Sequence, residues 1–159
     1  MKTGINQLWT NSDEFPLAEL TVEVAVQTLW VEPVVKALQA AGGSPLIAGQ
    51  IDEVLSILRF GQPTLLILSE GFMDNDSGQN QLLEYIQRMP AVPRRELFVV
   101  WIGKNIKSGD RLSAFSHSVN LVLEPEKLTD IIDRIKKSWI LWKEMYQVFV
   151  QTRLQINGF

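Results

Sequence analysis

A chain of 159 residues falls within the range of one domain and is long enough to bury a core, and 46% apolar with 21% charged residues argues against global disorder. A net charge of −3 lacks the basic excess with which proteins neutralise nucleic-acid phosphates or an anionic membrane. Without cysteine there is no disulfide, thiol nucleophile or thiolate metal site, and one histidine leaves little imidazole for metal or acid–base work. Residues 1–17 mix Asn, Thr, Ser, Asp and Glu with isolated Trp9 and Phe15 and read as a flexible N-terminal arm. Val22-Glu23-Val24-Ala25-Val26-Gln27 reads as a strand by its β-branched content. Pro33 suits the first turn of a helix that carries Val34, Val35, Leu38 and Ala41 up to Gly42-Gly43.

Pro45-Leu46-Ile47-Ala48 is a short second strand, and Ile51, Val54, Leu55 and Leu58 recur at helical spacing until Gly61. The most apolar short run, Pro63-Thr64-Leu65-Leu66-Ile67-Leu68-Ser69, reads as a strand buried on both faces at the centre of a sheet. After a polar loop over 71–78, Leu82, Leu83, Ile86 and Met89 mark a helix ended by Pro90 and Pro93. Leu97-Phe98-Val99-Val100-Trp101-Ile102 is a fourth strand; Leu112, Phe115 and Val119 mark a short helix, and Leu121-Val122-Leu123 a fifth strand. Strands alternating with helices predict an α/β fold with a five-stranded doubly wound parallel sheet in one domain, residues 18–159.

The last helix is too long for that pattern. Leu128, Ile132, Ile135, Trp139, Trp142, Tyr146 and Phe149 alternate steps of four and three, a heptad seam from about 126 to 153. Such a helix is roughly 40 Å long at ~1.5 Å per residue, and a small domain covers about half of it. The expected interface residues are therefore Ile135, Trp139, Trp142, Tyr146 and Phe149, since large aromatic anchors are what protein interfaces enrich.

In order and spacing, residues 22–27, 63–69, 97–103 and 121–125 resemble the receiver domain of bacterial response regulators, over residues 21 to about 140. The resemblance implies a flavodoxin-like sheet in the order 2-1-3-4-5. It also implies a site built from an acidic pair after the first strand, a phosphate-accepting Asp after the third, Thr or Ser after the fourth and Lys before Pro after the fifth. The acids of that site hold Mg²⁺, and the Lys and hydroxyl neutralise phosphoryl oxygens. Here Gln27-Thr28 stands for the acidic pair, Ser69 for the acceptor, Ile102 or Gly103 for the hydroxyl residue and Glu124 for the Lys. At ~4 Å and an effective dielectric of about 20, unit charges interact by about 4 kcal/mol, and Glu124 reverses the sign of that term. The resemblance supports the fold and argues against the reaction; Pro125 leaves a cis Glu124-Pro125 bond open, as in receivers.

Other candidates have structural readings. Ser69 and Glu70, as nucleophile and base, would point to opposite faces of a strand, and no glycine elbow surrounds Ser69. Asp74-Asn75-Asp76-Ser77-Gly78 with Glu84 is one residue short of calcium-loop spacing and reads as a capping turn. His117 complements a helix C-terminus, residues 103–109 form a basic loop without phosphate-loop order, and Arg94-Arg95 reads as surface charge. The sequence thus predicts a non-enzymatic pseudo-receiver without metal or cofactor. It is expected to be cytoplasmic, since its start lacks the apolar core of a signal peptide and no apolar run is long enough to span a bilayer, and the receiver resemblance implies a role in bacterial signal transduction of the two-component kind, as a homodimer or with a partner protein through the C-terminal helix. The alternative expectation is a small-molecule or nucleotide sensor, or a flavodoxin-like enzyme, using the crevice around Gln27, Thr28, Ser69, Glu70 and the loop after Gly103.

Overall fold

The structure, a computed structural model, describes residues 15–61, 63–74 and 81–157. Five parallel strands, β1 (Val22–Ala25), β2 (Leu46–Ile47), β3 (Leu65–Ser69), β4 (Phe98–Ile102) and β5 (Leu121–Leu123), lie in the order β2-β1-β3-β4-β5. In register, Ile67 of β3 stands between Val24 of β1 and Val100 of β4, so the most apolar run occupies the centre of the sheet, as predicted. The helices are α1 (Thr28–Ala40), α2 (Ile51–Ser56, continuing as a π turn over Ile57–Gly61), α3 (Gln81–Gln87), α4 (Ala91–Arg95), α5 (Arg111–His117) and α6 (Ile131–Asn157).

Alternation along each strand divides the core in two. Val24, Leu65, Ile67, Phe98, Val100, Ile102, Leu121 and Leu123 face α1, through Trp30, Val34 and Leu38, and α6, through Ile131, Ile135 and Trp139. Ala25, Leu66, Leu68, Val99, Trp101 and Val122 face Val54 and Leu58 of the α2 segment, Leu82 and Ile86 of α3 and Ala114 of α5.

Several local expectations give way to tertiary context. Helix α1 starts at Thr28, separated from the end of the strand by two residues, so Pro33 lies inside it rather than in its first turn. The buried residues Trp30, Val34 and Leu38 are spaced to hold that longer helix on the sheet. Instead of a plain break, Pro90 caps a short helix, α4, and Pro93 lies within its first turn. In α5 the cap is Asp110, whose carboxylate accepts from the Leu112 amide at 3.0 Å, but Leu112 and Phe115 point to solvent and Ala114 is the buried residue. Among the described residues no peptide bond is cis, so Glu124-Pro125 is trans; it leads into a 3-10 segment, Pro125–Asp130, before α6 begins. The arm expected to be flexible is docked at its end, with Leu17 buried and Phe15 edge-on to Trp139 at 5.3 Å; residues 1–14, including Trp9, lie outside the described residues.

The C-terminal helix spans 27 residues, about 40 Å. Phe15, Phe98, Trp139 and Trp142 form one aromatic cluster, with ring centroids 4.9 Å apart for the two tryptophans and 5.4 Å for Phe98 and Trp142. The domain's own sheet and N-terminal segment thus cover α6 as far as Trp142.

Candidate functional site

The four strand ends β1, β3, β4 and β5 bring Gln27, Ser69, Gly103 and Glu124 to one side of the sheet, where ligands of open α/β folds gather. At the centre Ser69 is fully buried. Its hydroxyl accepts from the Gln27 amide at 2.8 Å and donates to the Glu70 carbonyl, also at 2.8 Å. The Gln27 side-chain amide donates to that same carbonyl at 3.1 Å. The hydroxyl proton is directed at a backbone oxygen rather than a base, and the oxygen is screened from solvent, so Ser69 is a latch between the ends of β1 and β3.

The next residue closes the gap to β4. The Glu70 carboxylate accepts from the Lys104 amide at 2.6 Å, bridging the loops after β3 and β4. A Cβ placed on Gly103 would lie 2.9 Å from Trp101 Nε1 and 3.1 Å from Ile106 Cδ1, so a Thr or Ser there has no room unless these side chains move. Gly71, at φ +74°, allows Gln27 to pass 3.0 Å from where its own Cβ would be.

Beyond Gly103 the chain makes a second latch. The Ser108 amide donates to the Glu124 carboxylate at 2.9 Å, and the Glu124 amide donates to the Ser108 hydroxyl at 2.8 Å. The Ser108 amide, with further help from its hydroxyl and from the charges of Lys127 and Arg134, holds the Glu124 carboxyl below its usual range. Glu124 is therefore an anion with a structural task in the position of the receiver lysine.

Two open hollows flank the plug made by Gln27, Ser69 and Glu70. One, about 600 Å³, is lined by Gln27, Thr28, Gly49, Gly71, Phe72 and Met73; the other, about 610 Å³, by Gly103, Lys104, Lys107, Glu124 and Glu126. Thr28 is thus separated from Gly103 and Glu124 by the plug, while Gln27 and Ser69 are in direct contact. Of the turn Asp74-Asn75-Asp76-Ser77-Gly78, residues 75–78 lie outside the described residues.

The expected interface residues divide as well. Ile135 and Trp139 are buried in the chain's own core, Trp139 at 1% exposure, because the sheet and Phe15 extend over them. Trp142 and Tyr146 are half-buried, and the Phe149 side chain lies outside the described residues. Among the described side chains, the large apolar residues that α6 exposes are Leu141, Met145, Val148 and Ile156. The first three follow the same four-three step but start one residue earlier, a signal present in the sequence and obscured there by the aromatic seam beside it.

Sequence reasoning also missed Arg94. Rather than surface charge, its guanidinium donates to the carbonyls of Leu97 and Ser118, both at 2.7 Å, and to Asn120 Oδ1 at 3.1 Å, tying the start of β4 to the start of β5. Burial pushes its pKa down to about 10. His117 lies flat against Trp101, with ring centroids 5.9 Å apart, and its Nδ1 is 2.7 Å from the Ser113 carbonyl.

Fold and strand-end geometry together define a flavodoxin-like α/β domain with an extended C-terminal helix. A solved structure similar to it is a protein from Burkholderia pseudomallei described as pilus assembly-related, which aligns with a TM-score of 0.52 over 78% of this chain and 94% of that chain at 14% identity. That likeness is one of fold. No family model and no curated protein matches the chain. Among the described residues no helix is long and apolar enough to cross a membrane.

Proposed function

We propose that this chain is a pseudo-receiver, a non-catalytic interaction module of bacterial signalling that self-associates through the distal half of α6. The observation that carries the reading is the set of bonds at the strand ends. Ser69, Gln27, Glu70 and Glu124 have polar partners within the chain, and a phosphoryl-stabilising hydroxyl residue at Gly103 would have to displace the Trp101 and Ile106 side chains. A receiver needs those positions to hold Mg²⁺ and neutralise phosphoryl oxygens, and here they join loops to one another. The exposed stripe Leu141, Met145 and Val148 supplies the contact surface.

Sedimentation of the full chain over a range of concentrations tests the reading. A dimer is expected, converted by Met145→Glu with Val148→Glu to a monomer that keeps its circular-dichroism spectrum and whose melting temperature no longer depends on concentration. A chain that stays monomeric at every concentration, or that gains the mass of a phosphoryl group from acetyl phosphate and Mg²⁺, removes it. The second reading, a small-molecule sensor, is favoured by the hollow of about 600 Å³ at Gln27, Thr28 and Gly71. A thermal shift with a nucleotide or flavin that disappears in Thr28→Ala would select it.

A further inference from the structure

The second residue of β1 is a carboxylic acid where the sheet offers it little. Glu23 is 1% exposed, between Val22 and Val24 in a strand buried along its whole length. Alternation places it on the face of Ala25, the face that Val54 and Leu58 cover. Its Oε2 is buried with no hydrogen-bond partner. An ionised carboxylate in such a place is costly, so the group keeps its proton to a higher pH than an exposed carboxyl does.

The charges around it reinforce this. No charged residue occurs from 44 to 50, around β2, or from 63 to 69, along β3. The first turn of α2 brings Asp52 and Glu53, and the Glu53 charge acts on Glu23 with the same sign. Arg59, the cation of the π turn, sits over the Tyr85 ring at 5.7 Å, and α3 brings Glu84. Burial first, and Glu53 second, raise the Glu23 carboxyl to about 7.

The strand lying against Glu23 is also the shortest. β2 has two residues, both with exposed side chains, and Leu46 is the register partner of Glu23. Beyond it, the Ala48 amide donates to the Val24 carbonyl at 2.9 Å, and the Gly49 amide donates to the Glu53 carboxylate at 2.9 Å. The carboxylate that repels an ionised Glu23 is thus the one that ties the loop after β2 to α2.

From this cluster we propose that β2 and the first turn of α2 form a proton-controlled edge of the sheet. Protonated Glu23 keeps it closed; loss of that proton draws water to the carboxylate and releases Leu46–Ile47 from β1. Opening uncovers the outer rail of β1, whose backbone groups then become available to another strand.

The test is NMR on the full chain, following the Glu23 carboxyl and the exchange of the Ala48 amide, corrected for intrinsic base catalysis. With the carboxyl near 4.5 when open and about 7 when closed, opening at Ala48 is expected to rise about tenfold between about pH 6 and about pH 8. Glu23→Gln is expected to abolish the rise, and Glu53→Gln to move its midpoint downward without removing it. A wild-type Glu23 carboxyl that titrates in the ordinary carboxylate range, a flat Ala48 profile, or an unchanged rise in Glu23→Gln overturns the proposal.

Discussion

Helix α6 carries two apolar stripes roughly a third of a turn apart at ~100° per residue, and the fold treats them differently. Ile131, Ile135 and Trp139 are buried under the sheet and α1, whereas Leu141, Met145 and Val148, of comparable hydrophobicity, face outward, Met145 at 74% exposure. The contrast teaches that periodicity reports how apolar residues are arranged on a helix, while the reach of the neighbouring layers decides which of them become core. Here Phe15 and Phe98 carry the core out to Trp139 and Trp142.

The largest expected effect tests the buried stripe. Trp139→Ala removes a side chain packed on Phe15, Phe98 and Trp142 and should cost about 3–5 kcal/mol in denaturant unfolding. A loss below about 1 kcal/mol would mean that the two stripes carry similar weight.

Burial also decides the weight of charge. The folded pKa of Glu23 is raised from 4.5 to about 7, so between these values the folded state binds more protons than the unfolded one. Stability is therefore fully present below about pH 4.5 and is lost as pH rises through about 7, by on the order of 1–3 kcal/mol. Melting temperatures over that range should fall in the wild type and hold level in Glu23→Gln.

A smaller effect, about 1–2 kcal/mol, is expected for Ser69→Ala, which leaves the part-buried Gln27 amide without its acceptor. Association should be unaffected, which separates a latch from an interaction residue. Smallest of all, Met145→Ala should change the monomer's folding stability by no more than ~0.5 kcal/mol while weakening self-association in sedimentation, since its side chain is mostly exposed within one chain.

The architecture was largely legible in the residues. The apolar runs 63–69 and 97–102 became β3 and β4, and the strand order is the one implied by the receiver resemblance. Less legible was everything that depends on what lies opposite. Leu112 and Phe115 have helical spacing, yet the core beneath α5 is filled by Ala114 and Val119. Arg94 looks like surface charge until the loops at Ser118 and Asn120 present their oxygens to it. Glu23, a lone acid inside a β-branched run, was the clearest unread signal.

By itself the sequence determined the five strands, their alternation with helices and the excess length of the last one, because hydrophobic period and turn residues are properties of the local chain. Only the tertiary structure decided that Ser69 and Glu124 join loops, that Trp139 is core while Met145 is surface, and that Glu23 lies beside Glu53. Each of these depends on distances between residues far apart in the chain, and burial, acceptor geometry and like-charge proximity exist only once the layers have packed.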